Sequence, residues 1–300
     1  MPLTLPPLSR RKFLATTLAT GAALFLKPDL SRAAEADPHR LALLSDIHID
    51  ADPHAVDRGV VMHDHLEKAV DEITRLDVKP IAALINGDCA HLHGRTEDYG
   101  VLLPLLKPLR EAGLPVHLSM GNHDNRENIW KSIPQCESHV GGLKDRQIAV
   151  LEMPHANLFL LDSLKMTNFT PGFLGDRQTR WLAGALDARS EKPAIVFVHH
   201  QPDESLMPQG LTDTRMLLDI LTPRKYVKAL FYGHTHVWEI THRTGIHCVN
   251  LPAVAYPFDP HQPTGWVDAH VRPDGMNLEL RCTDPAHPKH GQKVELTWRT

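Results

Sequence analysis

Gly121-Asn122-His123-Asp124 follows the apolar run Val116-His117-Leu118-Ser119-Met120, and the junction reads as a buried strand ending in a polar loop. Alone, the tetrapeptide is also an ordinary turn, because Gly, Asn and Asp favour turns. Four other apolar runs end the same way. Leu41-Ala42-Leu43-Leu44-Ser45 leads into Asp46-Ile47-His48, and Ile81-Ala82-Ala83-Leu84-Ile85 into Asn86-Gly87-Asp88. Ala194-Ile195-Val196-Phe197-Val198 leads into His199-His200, and Ala229-Leu230-Phe231-Tyr232 into Gly233-His234-Thr235-His236. Short continuous apolar runs suit strands buried on both faces. In open α/β sheets ligands bind beyond the carboxyl ends of the strands. Five strands that each deliver Asp, Asn or His to that edge predict one site assembled from distant pieces of chain.

Between these strands, Leu66, Ala69, Val70, Ile73 and Leu76 recur at helical spacing and predict an amphipathic helix over 64–76. Thr96 to Ala112 reads as helical with a break or kink at Pro104 and Pro108. Further helices are expected between Asn125 and Gln147, from Gly175-Asp176 with core face Trp181, Leu182, Ala185 and Leu186, and over 212–221. Strands are expected at 148–152 and 157–162. From Val237 the pattern changes to hairpins turning at Arg243-Thr244-Gly245 and Pro273-Asp274-Gly275. Early β-α alternation followed by hairpins predicts an α/β fold in which two mixed sheets pack face to face with helices outside.

The first 36 residues read as a targeting segment, leaving 37–300 as one catalytic-sized domain. Ser9-Arg10-Arg11-Lys12-Phe13-Leu14 carries a twin arginine, Ala15 to Leu26 is mildly apolar, and Ala34-Glu35-Ala36 is a small-x-small cleavage site. That order predicts a bacterial twin-arginine export signal, handled by the twin-arginine translocation machinery, and a periplasmic or secreted product. No 18-residue apolar span follows, so no stable membrane anchor is expected.

The chain has 32 basic and 36 acidic residues. The leader holds five of the basic and two of the acidic ones, which leaves 27 against 34, a net charge of −7. Such a chain offers no long-range attraction to nucleic acid. A small substrate held by local metal charge fits better. Cys89, Cys136, Cys248 and Cys282 show no metal-binding spacing. An exported protein permits disulfides, so Cys248 and Cys282 either pair or remain buried thiols.

Asp46, His48, Asp88, Asn122, His199, His234 and His236 form the candidate ligand set. Their oxygen and imidazole donors suit Mn, Fe or Zn. Seven ligands exceed what one ion uses. Two divalent ions sharing a carboxylate fit the count. His200 competes with His199, and strand alternation lets only one of two neighbours face the ions.

Asp46-x-His48, Gly87-Asp88, Gly121-Asn122-His123-Asp124, His199 and Gly233-His234-x-His236 resemble the motif set of the calcineurin-like metallophosphoesterases, especially the class III cyclic nucleotide phosphodiesterase branch. The resemblance implies a β-sandwich flanked by helices. It implies that Asp46, His48 and His236 hold one metal, that Asn122, His199 and His234 hold the second, and that Asp88 bridges them. His199 is favoured over His200 because the family ligand directly follows the strand. His123 would stabilise the transition state or protonate the leaving oxygen, with Asp124 orienting it and raising its pKa. His91 stands where related branches carry a Tyr or Asp, and is a candidate further ligand or supporting donor. The expected substrate is a small phosphate ester: a diester of the cyclic nucleotide type, or alternatively a monoester or nucleotide. The alternative of another class is an inactive metal-binding scaffold.

Overall fold

A computed structural model describes residues 3–8, 36–133, 143 and 145–300. The twin arginine, Ala34, Glu35 and Cys136 lie outside the described residues. The strands, in chain order, are β1 (Leu3–Leu5), β2 (Ala36–Leu44), β3 (Val56–Asp57), β4 (Val60–Val61), β5 (Lys79–Ile85), β6 (Val116–Leu118), β7 (Ala149–Glu152), β8 (Asn157–Leu160), β9 (Ala194–Phe197), β10 (Val227–Tyr232), β11 (Glu239–Arg243), β12 (Ile246–Asn250), β13 (Gly265–Arg272), β14 (Gly275–Cys282) and β15 (Lys293–Thr297). The helices are α1 (Met62–Arg75), α2 (Thr96–Leu105), α3 (Lys107–Glu111), α4 (Arg126–Ser132), α5 (Gly175–Asp187) and α6 (Thr214–Leu221).

One sheet has seven strands in the order β1-β6-β5-β2-β13-β14-β15, and a second has six in the order β11-β12-β10-β9-β8-β7. Each is parallel at its centre, β6-β5-β2 in the first and β12-β10-β9-β8 in the second, and antiparallel towards the edges. Alternation along a strand sends successive side chains to opposite faces. In β2, Leu41 and Leu43 therefore enter the layer between the sheets, where they meet Leu158, Ile195, Phe197, Phe231 and Val267. Ala42 and Leu44 face the other way, towards Leu66, Ile73, Leu102 and Leu109 of α1 to α3. On the far side, Val196 and Leu230 pack on Leu182, Leu186, Leu217 and Leu221 of α5 and α6. The result is the predicted four-layer sandwich. Where both faces are buried, as over Leu41–Leu44, Ala82–Ile85 and Ala194–Phe197, the central strands are apolar throughout.

Two features depart from the expectations, and Cys248 and Cys282 take the second of their two expected alternatives. Leu3–Leu5, inside the segment read as a leader outside the fold, form an antiparallel edge strand on β6, pairing Leu3 with Leu118 and Leu5 with Val116. Leu3 and Leu5 are buried, so the division at residue 36 does not separate fold from leader in this structure. Cys248 lies on β12 of one sheet and Cys282 at the end of β14 of the other, and both are free thiols. The β3–β4 hairpin, two residues on each side, is too short for periodicity to reveal.

Candidate metal centre

The five predicted junctions meet at one edge of the sandwich. Loops after β2, β5 and β6 come from the seven-stranded sheet and loops after β9 and β10 from the six-stranded one. The first two loops pair with each other: Asp46 N–H donates to the Gly87 carbonyl at 3.2 Å and His48 N–H to the Asp88 carbonyl at 3.0 Å. The loop after β10 is tied across the sheets, its His234 N–H donating to Asp46 Oδ1 at 3.1 Å.

Close approach dictates the glycines here. A methyl group at Gly121 would land on the Asp88 carboxylate, and one at Gly233 on the Ser45 hydroxyl and the Asp46 carboxylate. Five of the seven candidate ligands adopt left-handed backbone: Asp46 (φ 52°), His48 (46°), Asp88 (46°), His234 (70°) and His236 (55°). That region costs about 1–3 kcal/mol per residue and clusters at functional sites.

Each of the four ligand imidazoles commits one ring nitrogen to a backbone carbonyl. His48 Nδ1 donates to the His91 carbonyl at 3.3 Å. His236 Nδ1 donates to Tyr256 at 2.5 Å, and His199 Nδ1 to Asn86 at 2.9 Å. For His234 the committed atom is Nε2, which donates to Gln209 at 3.0 Å. A carbonyl only accepts, so these nitrogens carry the hydrogens. The opposite nitrogen of each neutral ring then presents a lone pair, the tautomer that metal ligation needs. His48 Nε2 and His236 Nε2 face each other at 3.1 Å, two lone pairs whose repulsion a shared cation would relieve.

The carboxylates sit among these nitrogens. Asp46 Oδ1 is 3.4 Å from His236 Nε2. Asp88 Oδ2 lies 3.7 Å from His48 Nε2 and 3.3 Å from His199 Nε2, between one cluster and the other. Asn122 Oδ1 is 3.3 Å from His199 Nε2. Asp46, His48 and His236 form one compact donor group, and Asp46, Asp88 and His199 a second that shares Asp46 with it.

Electrostatics agree with the need for cations. Burial alone would raise Asp46 and Asp88, yet both are held below the carboxylate range, Asp46 by His199 and His236, Asp88 chiefly by His199. Burial would lower His199, but Asp88 and Asp46 raise it to about 9. Burial pushes His48 down to about 3 and His234 down to about 4. One imidazolium thus balances two buried carboxylates, where divalent ions would supply more charge.

Three expected roles change. Asp124 does not reach the His123 ring. Its carboxylate accepts the N–H groups of Gly121 (2.9 Å), Cys89 (3.1 Å) and Ala90 (3.1 Å) and the Tyr99 hydroxyl (3.1 Å), clamping the loops after β5 and β6 together. Burial and nearby Asp88 raise it to about 6 against those N–H bonds. His123 is oriented instead through Nδ1, which donates to the Leu92 carbonyl at 3.1 Å. Its N–H donates to Asp88 Oδ1 at 2.8 Å, so the loop grips the shared carboxylate directly.

Both ring nitrogens of His91 are taken by carboxylates outside the candidate ligand set. Nδ1 meets Asp50 at 3.2 Å and Nε2 meets Asp57 at 3.0 Å, and only its carbonyl serves the site, through His48. His200 does not point away from its neighbour as strand alternation requires. The chain has left β9 at Phe197, and a His200 ring nitrogen lies within 4.8 Å of those of His199 and His234. Its Nδ1 is 2.7 Å from the Ser163 hydroxyl. The carbonyls of His91, Tyr256, Asn86 and Gln209 carry no side-chain signal, so sequence reading missed them.

The calcineurin-like phosphoesterase family model matches residues 39–238. The 3',5'-cyclic adenosine monophosphate phosphodiesterase CpdA of Pseudomonas aeruginosa is 28% identical over 224 residues, 73% of this chain and 78% of that protein. The glycerophosphodiester phosphodiesterase GpdQ of Enterobacter lignolyticus is 26% identical over 221 residues, 72% of this chain and 77% of that protein. A dimetal phosphatase from Danio rerio, 18% identical, shares the fold with a TM-score of 0.66, covering 88% of this chain and all of that one. With 200 of its 300 residues matched and overlapping donor clusters at the shared sheet edge, this chain belongs to the calcineurin-like phosphoesterase family of metal-dependent phosphoric ester hydrolases.

Proposed function

We propose that the protein hydrolyses a small phosphodiester at a dinuclear centre, with Asp46, His48 and His236 holding one ion, Asn122, His199 and His234 the other, and Asp88 between them. The observation that carries this reading is the set of four imidazoles, each fixed by a backbone carbonyl, with His48, His199 and His236 grouped with the two carboxylates and His234 grouped with His199. Mn, Fe or Zn suits those donors. Two such ions supply Lewis acidity and an activated water at neutral pH. The protein's own part is positioning and proton transfer. Asp88 accepts the His123 N–H and so couples the acid-bearing loop to the carboxylate that lies between His48 and His199. His123, with Nδ1–H held by Leu92, directs Nε2 to the departing ester oxygen as the group that stabilises or protonates it. Asn122 supplies a neutral donor, which keeps the second site less anionic than the first.

Relatives named for cyclic nucleotide and for glycerophosphodiester hydrolysis support a diester over a monoester. The test compares Mn²⁺-loaded protein on bis-p-nitrophenyl phosphate, p-nitrophenyl phosphate and cyclic AMP. Faster kcat/KM on a diester supports the reading; preference for the monoester points to a phosphatase, and inertness on all three to a scaffold. We also propose export by the twin-arginine route, supported by Arg10-Arg11 and the apolar and small-residue stretches behind it. Arg10→Lys with Arg11→Lys should leave the protein in the cytoplasm of a bacterial host; unchanged export would refute the route.

A further inference from the structure

We infer that Arg58, laid over Phe258 and Tyr256 beside the Asp46–His48–His236 cluster, forms with Phe258 a shelf on which a nucleobase of the substrate stacks. This deepens the phosphodiesterase reading and rests on it. Arg58 and Gly59 make the two-residue turn of the β3–β4 hairpin, with φ of 49° and 79°. Positive φ at both positions is the type I′ turn, which favours Asn-Gly; an arginine at the first position is unusual. That strained backbone carries a side chain with a definite destination. The guanidinium carbon stands 4.8 Å from the Phe258 ring centre and 5.7 Å from that of Tyr256.

Both rings lean on metal-site imidazoles. Phe258 stacks on His236 with centroids 4.1 Å apart and planes 13° from parallel. Tyr256 stacks on His48 at 5.1 Å and 23°, and its carbonyl is the one that fixes His236. A column of planar groups, guanidinium, phenyl and imidazole, thus rises from one half of the metal centre to the surface.

At its outer end the column is open. Phe258 is 51% exposed, which leaves part of its ring surface open to a ligand. Arg58 is exposed and, among the described residues, makes no ion pair with a carboxylate. The neighbouring Asp57 is already engaged, by His91 Nε2 and by the Tyr256 hydroxyl, so the hairpin is anchored from behind while its tip stays free. Bases stack on aromatic rings and on guanidinium planes, and each such stack is worth enough to shift binding about tenfold or more. A glycerol or ethanolamine arm has no π-face to use the shelf. Lysine would keep the charge without the plane.

The experiment compares wild type, Arg58→Ala and Arg58→Lys, each with metal content measured, on 3',5'-cyclic AMP and on the base-free diester glycerophosphoethanolamine. The shelf predicts that both variants lower the ratio of kcat/KM for cyclic AMP over the base-free diester by about tenfold, through KM rather than kcat. A Lys variant that keeps the wild-type ratio would show a charge contact and overturn stacking. An equal loss on both substrates, or no loss, would also overturn it. Wild type that cleaves the base-free diester and ignores cyclic AMP would overturn the shelf and leave the phosphodiesterase reading standing. Wild type that cleaves neither would bring down that reading, and the shelf with it.

Discussion

The seven-stranded sheet delivers both candidate ligand carboxylates, Asp46 and Asp88, together with His48, Asn122 and His123, whereas the ligands that the six-stranded sheet delivers are the imidazoles of His199, His234 and His236. One sheet edge therefore carries the negative charge and the other carries donors that are neutral when they ligate. Across the interface Asp88 and Asp46 face His199 and raise it to about 9 despite complete burial. The lesson is that the sandwich is closed at this edge by electrostatics as well as by the apolar layer between the sheets. The residues that would hold the ions line that seam.

The difference between the two edges is broken most severely by Asp88→Ala. It removes the carboxylate that lies within 3.7 Å of His48 and 3.3 Å of His199. We expect kcat/KM to fall by roughly 10³-fold or more, because both ions lose charge compensation. His234→Ala, which takes only a neutral donor from the other edge, should cost clearly less in the same assay. Equal losses would remove the asymmetry.

His123→Ala tests the acid rather than the ligands. Turnover should drop about 10²–10⁴-fold. Although a His123 ring nitrogen lies within 4.8 Å of donor atoms of His48 and Asp88, metal per chain should stay at the wild-type value, since all seven proposed ligands remain in the variant. Metal lost in parallel with activity would move His123 into the ligand set.

Asp124→Asn separates the two functions that its position suggested. The carboxylate accepts three backbone N–H groups and a tyrosine hydroxyl, and an amide must turn an NH₂ towards some of those donors. Stability should fall by about 1–3 kcal/mol in denaturant titration, with any basic limb of the kcat–pH profile unmoved. A shifted limb would restore the link between Asp124 and the His123 ring.

An effect confined to acid pH lies where β1 pairs with β6 in the seven-stranded sheet. Burial lowers His117 to about 4, and its Nδ1 sits 2.9 Å from the Thr4 hydroxyl. A histidine whose folded pKa is depressed binds fewer protons folded than unfolded. Its stabilising contribution is complete above the unfolded value of about 6.5 and is lost as pH falls towards 4. The loss across that window should reach at most about 3 kcal/mol, and His117→Gln should flatten it. An unchanged pH slope in that variant would place the acid sensitivity elsewhere.

The five ligand-bearing junctions were legible because each couples an apolar strand, buried on both faces, to residue types rare at a strand end. The sheets and the helices over Leu66–Ile73 and Trp181–Leu186 followed from the same periodicities. Other parts had no such signal. β1 and the β3–β4 hairpin are two or three residues long, and their pairing is decided by distant partners. The carbonyls that set the imidazole tautomers belong to no residue type. Asp124 looked like an orienting carboxylate because it follows His123, yet the turn sends the two side chains to different partners. Strand alternation misplaced His200 because the chain bends as soon as β9 ends.

Metal stoichiometry tests the shared centre most directly. Chains loaded with Mn²⁺ and freed of excess ion should carry two metals in the wild type and one in His234→Ala, with Asp88→Ala holding fewer than one. Asp88→Ala that retained two metals per chain would contradict the account, because no carboxylate would then be needed between the sheets.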